Sequence, residues 1–278
     1  MSLQMLHAQS DTSFQIMSFN IRYANPMDGV NYWNNRKDLV VSMIRYHEAD
    51  IIGLQEALRR QMDELKAALP DYEWVGVCRT DGTQNPSPDN EFSSILYNAK
   101  RFEWLAGSTF WLSETPDVVA SKGWDAALPR IVTWAKFKDR TTQKIFFHFN
   151  THFDHQGEKA REESAKLLIS KVKAIANGMP TIITGDFNAN DISLTYRTLV
   201  DENNPNHFKD GIQVTALPHH GPMGTWSAFQ FPGEPGRRID YIFVKNNVKV
   251  KKHAVLSDSW SGRFPSDHLP VIAQVVVE

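Results

Sequence analysis

Thr181-Ile182-Ile183-Thr184-Gly185-Asp186-Phe187-Asn188 begins as a short apolar run and ends on an acid and an amide. A run of this length, bounded by turn residues, predicts a buried strand. A carboxylate at its end is costly unless it meets a partner, a metal or a ligand. The same pattern recurs along the chain. Ser18-Phe19-Asn20 stops on an amide, Ile52-Gly53-Leu54-Gln55-Glu56 on an acid, and Phe149-Asn150-Thr151-His152 on an imidazole. Arg238-Ile239-Asp240-Tyr241-Ile242 sets a carboxylate inside an apolar strand, and Ser266-Asp267-His268-Leu269-Pro270 precedes the final one. Rigid strand ends can hold catalytic groups in place.

Between these stretches strand and helix signals alternate. Residues 14–21 alternate apolar and polar, which predicts a strand. Apolar residues at helical spacing predict helices over 34–49 and 59–69, the second ending before Pro70. Residues 157–176 form an amphipathic pattern closed by Asn177-Gly178, a C-cap signal. Further strands are expected at 72–77, 93–97, 102–111, 131–137, 144–151, 225–229, 238–244, 248–256 and 271–277. A short helix is expected over 194–200. The polar stretches 81–90 and 203–224 read as loops.

Composition narrows the field. The chain has 278 residues, 41% hydrophobic and 22% charged, with a net charge of −2. These are ordinary values for a globular protein. Binders of long nucleic acid usually carry a basic excess, and none is present. One cysteine, Cys78, excludes an intramolecular disulfide and a cysteine-rich zinc site. No apolar run is long enough to span a membrane. Residues 1–12 read as a disordered terminus or as the remnant of an export signal, and 13–278 as one domain. Two locations follow: periplasmic or secreted if the remnant is real, cytoplasmic otherwise.

Taken in order, Ser18-Phe19-Asn20-Ile21-Arg22, Leu54-Gln55-Glu56, Thr151-His152-Phe153, Gly185-Asp186-Phe187-Asn188, Arg238-Ile239-Asp240-Tyr241 and Ser266-Asp267-His268-Leu269-Pro270 resemble the endonuclease/exonuclease/phosphatase superfamily, the DNase I-like phosphoesterases. The resemblance runs from Asn20 to Pro270. It implies an α/β fold, a four-layer α-β-β-α sandwich with two mixed sheets packed face to face. It implies metal-dependent phosphoester hydrolysis, with Glu56 ligating a divalent cation and Asn20 and Asp267 next to it. Oxygen ligands suit Mg²⁺ or Mn²⁺. By the same match Asp186 positions or deprotonates the attacking water, and Asn188 and His152 hold phosphoryl oxygens. Asp240 orients His268, which transfers a proton or stabilises the phosphate. Arg22 departs from the repair-nuclease pattern, where an acid stands two residues after the first Asn.

Three further residues are candidates for substrate contact. Arg130 follows Gly123-Trp124-Asp125-Ala126-Ala127-Leu128-Pro129 and is suited to clamp a phosphate. Asp154 stands at the His152 strand end, where it can touch substrate or cap the following helix. Trp226 precedes the Asp240 strand. The substrate class stays open among nucleic-acid ends, nucleotides, sugar or inositol phosphates and lipid head groups. No protein partner is implied, and a monomer is expected. Two other readings compete: a non-catalytic binding module on the same fold, and another dinuclear metallohydrolase. The second lacks a His-x-His pair just upstream of His152 and a Gly-Asn-His element.

Overall fold

The computed structural model describes residues 12–230 and 236–278. The expected terminus at 1–12 therefore lies outside the described residues apart from Thr12. β1 (Phe14–Asn20) leads through a turn at Trp33–Asn35 into helix α1 (Lys37–Tyr46) and then β2 (Ile51–Gln55). The helix starts later than its apolar pattern suggests because Trp33–Asn35 is wound as a 3-10 turn. β1 and β2 are parallel, with Asn20 beside Gln55 at their C-terminal ends. A parallel pair needs a long crossover, and α1 lies within it.

β3 (Ala57–Leu58), α2 (Arg59–Ala68), β4 (Tyr72–Val75), β5 (Glu91–Phe92) and β6 (Ile95–Asn98) follow. β3 and β5 make a small ribbon at the edge of the site. The second half begins with β7 (Phe102–Trp111), β8 (Ile131–Asp139) and β9 (Ile145–His152). Helix α3 (Glu158–Ala176) then crosses to β10 (Thr181–Asp186), parallel to β9. It ends as its sequence predicts, on Asn177 in the left-handed region with φ 43°. α4 (Leu194–Val200), β11 (Lys209–Asp210), α5 (Gly211–Val214), β12 (Asp240–Lys245), β13 (Val248–Val255) and β14 (Val271–Val277) complete the chain.

Two six-stranded sheets result, ordered β13-β14-β1-β2-β6-β4 and β11-β12-β10-β9-β8-β7. Between them lies a layer of apolar side chains that includes Phe14, Phe102, Phe137 and Phe146. Their rings meet edge-on or stacked, Phe14 and Phe146 with centroids 5.1 Å apart. Each such fully buried ring contributes roughly 1.5–3 kcal/mol. Helices α1 and α2 cover the outer face of the first sheet, through Val40, Ile44, Met62 and Leu65. α3 and α4 cover the outer face of the second, through Leu168, Val172, Tyr196 and Leu199. This is the expected four-layer α-β-β-α sandwich. No helix among the described residues is long and apolar enough to cross a membrane.

Toward the site the layer between the sheets turns polar. Gly53 brings its backbone against Thr184 and Asn150; a Cβ there would stand 2.0 Å from Thr184 Oγ1. Asn150 donates to the carbonyls of Leu54 and Ser94 and accepts from Gln55 Nε2 at 2.7 Å and Thr184 Oγ1 at 2.9 Å. His148 Nε2 meets Thr184 Oγ1 at 2.8 Å. Buried polar groups need partners, and this seam joins the two sheets directly beneath the site.

Two local expectations change. Residues 225–229 do not form a strand. Trp226 makes one isolated bridge to His268, and Ala228 and Phe229 take φ of 51° and 61°, which turns the chain away. The 203–224 stretch contains β11 and α5, both too short for a periodic signal; the Asp210 side chain caps α5 by accepting from Ile212 N.

Candidate active site

Register brings the polar strand ends together. In the second sheet Asp186 pairs with His152 on one side and Asp240 on the other. In the first, the end of β1 sits beside the end of β2. The 265–268 loop is fastened to the end of β1 and the segment that follows it. Ser266 Oγ donates to Asn20 O at 2.7 Å. The buried guanidinium of Arg36 donates to the carbonyls of Ile21, Arg22 and Pro265. Arg36 is a structural part of the site that no strand-end pattern points to, because it lies just before α1.

Asn20 is fully buried and bridges two carboxylates: its Nδ2 donates to Glu56 Oε1 at 3.1 Å and to Asp186 Oδ2 at 3.0 Å. His268 Nδ1 lies 2.9 Å from Asp240 Oδ2, and its Nε2 lies 3.8 Å from Asp186 Oδ2. Asp186, Asp240 and His268 each present a ligating atom within 4.8 Å of the others. His152 Nε2 stands 3.4 Å from Asp186 Oδ2 and accepts from Asn188 Nδ2 at 3.1 Å. Asn188 is itself held by its N–H on Asp186 Oδ1 at 2.9 Å and by Phe153 O. Arg22, Glu56 and Asn188 all take positive φ, between 47° and 58°. Such conformations cost non-glycine residues about 1 kcal/mol or more and cluster at functional sites.

The electrostatics of the site follow from burial. Burial, reinforced by Asp240, pushes the Asp186 carboxyl up to about 7. Burial opposes a charged His268, but Asp240 and Asp186 outweigh it and hold the imidazole well above the ordinary histidine range. His152 is pushed well down by burial and by Arg130 and Arg79. Asp267 is raised by burial, against the pull of His268.

Arg22 turns its guanidinium inward. It forks onto Asp28 with two bonds of 3.0 Å and lies 3.7 Å from Glu56 and 3.9 Å from Asp267. A cationic group thus already stands between the two carboxylates that the sequence assigns to a cation. Glu56 and Asp267 offer carboxylate oxygens there, with no sulfur or imidazole, so the donor set fits a hard divalent ion; Asn20 turns its Nδ2 to Glu56 and accepts from Arg22 N–H on its Oδ1.

A cleft of about 720 Å³ opens over these groups. Glu56, His152, Asp186, Asn188, Asp267 and His268 line it, as do the expected Arg130 and Trp226. Trp226 is 41% exposed. Asp154 is brought near but lies beneath the wall, 2% exposed. It accepts from the backbone N–H groups of Ala127, Leu128, Gln156 and Gly157, and from Arg130 Nε. Burial works against its charge, yet the N–H groups of Gly157, Ala127 and Gln156 hold it down at about 2. Its geometry is that of an anchor for Arg130 and for the entry to α3. Arg79 and Glu91 also line the cleft. They sit in separate segments with no motif, so sequence patterns carry no signal for them.

The family model for the endonuclease/exonuclease/phosphatase family matches residues 17–268. The chain belongs to this family. Among solved structures of family members, an endonuclease/exonuclease/phosphatase from Bacteroides vulgatus is 42% identical, with a TM-score of 0.89 over 96% of this chain and 100% of that one. A mannosyl-6-phosphatase from Bacteroides thetaiotaomicron is 38% identical, with a TM-score of 0.88 over 95% of this chain and 99% of that one. An uncharacterized protein of Acanthamoeba polyphaga mimivirus is 31% identical over 178 residues, 62% of this chain and 64% of the relative. The chain spans less than two thirds of the length of the curated relatives it matches.

Proposed function

We propose that this protein hydrolyses phosphoester bonds with a divalent cation, Mg²⁺ or Mn²⁺, held by Glu56 and Asp267 beside Asn20. The observation that carries this reading is the meeting of Asp186 and His268, the latter backed by Asp240, with Glu56 and Asp267 in one cleft. A cation bound there would neutralise charge developing on the phosphoryl oxygens. Asp186, with its carboxyl near 7, orients the attacking water and takes its proton. Asp240 accepts from His268 Nδ1–H and so directs Nε2 toward the cleft. His268 stays protonated and stabilises phosphoryl charge or returns a proton to the leaving oxygen. Asn188 and His152 hold phosphoryl oxygens. The water oxygen forms the new bond to phosphorus as the bond to the leaving oxygen breaks.

The 38% identity to a mannosyl-6-phosphatase puts sugar phosphomonoesters first among the substrates, ahead of nucleotides, nucleic-acid ends and lipid head groups. The test is a panel of DNA, RNA, poly(A), phosphomonoesters and sphingomyelin, assayed with Mg²⁺ and with Mn²⁺. Turnover of a phosphomonoester that stops in excess chelator and returns with metal is expected. Full turnover in chelator would overturn the cation assignment, and cleavage of no ester would overturn hydrolysis itself.

A further inference from the structure

One wall of the cleft carries two arginines that the hydrolytic chemistry does not use. Arg79 forks onto Glu91 with two bonds of 2.8 Å, both side chains at most 15% exposed. Arg79 Nε has no hydrogen-bond partner. Arg130 bonds Asp154 through Nε at 3.3 Å and His155 Nδ1 through Nη2 at 2.9 Å, and its buried Nη1 is likewise unpartnered. Both arginines line the same cleft as His152 and Asn188, the groups proposed to hold phosphoryl oxygens. The wall is also held rigidly. Arg79 N–H donates to the Glu91 carbonyl at 3.1 Å, and the Arg79 carbonyl accepts from Trp111 Nε1 at 2.7 Å.

Arg79, Glu91 and Arg130 all line the cleft, so this wall presents charged hydrogen-bonding groups to whatever the cleft holds. The chemistry that fits can be read from those groups. Each guanidinium is already matched by a carboxylate, Glu91 or Asp154. A second phosphate would approach those carboxylates as well as the arginines, at a cost in repulsion and desolvation. A hydroxyl both gives and takes a hydrogen bond, which suits a wall that alternates guanidinium donors with carboxylate acceptors. Trp226, half-exposed on the rim, offers an apolar face to C–H groups.

We infer that Arg79, Glu91 and Arg130 form a leaving-group subsite that reads adjacent hydroxyls of a neutral sugar ring, so that the substrate is a sugar phosphomonoester. This rests on the hydrolytic reading above and deepens it. The subsite sets specificity and takes no part in the proton transfers.

The test compares kcat/KM of the full chain with Mn²⁺ for mannose 6-phosphate and for phenyl phosphate, whose leaving group carries no second hydroxyl. Wild type is expected to favour mannose 6-phosphate. The ratio of mannose 6-phosphate to phenyl phosphate is expected to fall at least tenfold in Glu91→Gln and in Arg79→Lys, the order of one charge-assisted hydrogen bond. Thermal unfolding of both variants checks that the wall still folds, and the isosteric Glu91→Gln carries the conclusion if Arg79→Lys does not. An unchanged ratio in the folded variants, or a wild-type preference for phenyl phosphate, overturns the subsite and leaves hydrolysis standing. Cleavage of neither ester, nor of any other in the panel, overturns hydrolysis and the subsite with it.

Discussion

Two carboxylate sets share the floor of the cleft and differ in what holds them. Asp186 and Asp240 come from neighbouring strands of one sheet and enclose His268. Glu56 and Asp267 come from loops of the other half and enclose Arg22. The first set is closed by the hydrogen bond between His268 and Asp240. The second is closed by the guanidinium of Arg22, forked onto Asp28. Under the proposed function the first set handles protons and the second binds the cation. Asn20 touches both sets and keeps them in register. A second contrast lies among the buried histidines. Burial pushes His148 and His253 down to about 3, while His268, equally buried, is held charged by its two aspartates.

The largest expected effect breaks the proton side alone. His268→Ala should lower kcat by about 10³- to 10⁴-fold, the upper range for a positioned acid–base group. Its Mn²⁺ affinity, measured by calorimetry, should stay as in wild type. A lost Mn²⁺ site in this variant would move the cation to the Asp186–Asp240–His268 cluster and collapse the distinction. Glu56→Gln should do the reverse and weaken Mn²⁺ binding by about 10- to 100-fold; calorimetric affinity equal to wild type would remove Glu56 from the cation set.

A smaller effect sharpens the contrast among histidines. A histidine neutral in the fold, with its value lowered from about 6.5, lends stability that is whole above pH 6.5 and fades as pH falls toward 3. The expected loss for His148 is about 2 kcal/mol by pH 5, at about 1.4 kcal/mol per unit. Urea unfolding of wild type and His148→Gln at pH 7 and pH 5 reads it. A pH dependence identical in both would refute the assignment. The smallest effect concerns Arg22. Its removal as Arg22→Ala should tighten Mn²⁺ binding about tenfold, since a cation near 4 Å from two carboxylates is eliminated. Weaker binding in that variant would show that Arg22 supports the cation position rather than competing for it.

The strand ends were legible in the sequence because the signal is local. An apolar run followed at once by Asn, Glu, His or Asp announces both a buried strand and a polar terminus facing the cleft region, as at Asn20, Glu56, His152 and Asp186. The period of two and the period of 3.6 are short-range properties, so the sheet and helix layers followed. Residues 225–229 misled for the same reason. Their composition suits a strand, but left-handed turns at Ala228 and Phe229 and a single bridge to His268 are set by the loop they meet.

By itself the sequence determined which residue types stand at the ends of which strands, and through their order the family and its sandwich fold. Tertiary structure alone decided how those residues are held, because register across β9, β10 and β12 and the reach of Arg22 set which carboxylates enclose His268 and which enclose a guanidinium. It decided too that Asp154 anchors the wall while Arg79 and Glu91 face the cleft. Charge, burial and hydrogen-bond supply at each carboxylate come from residues distant in the chain. No local pattern of amino acids encodes those distances.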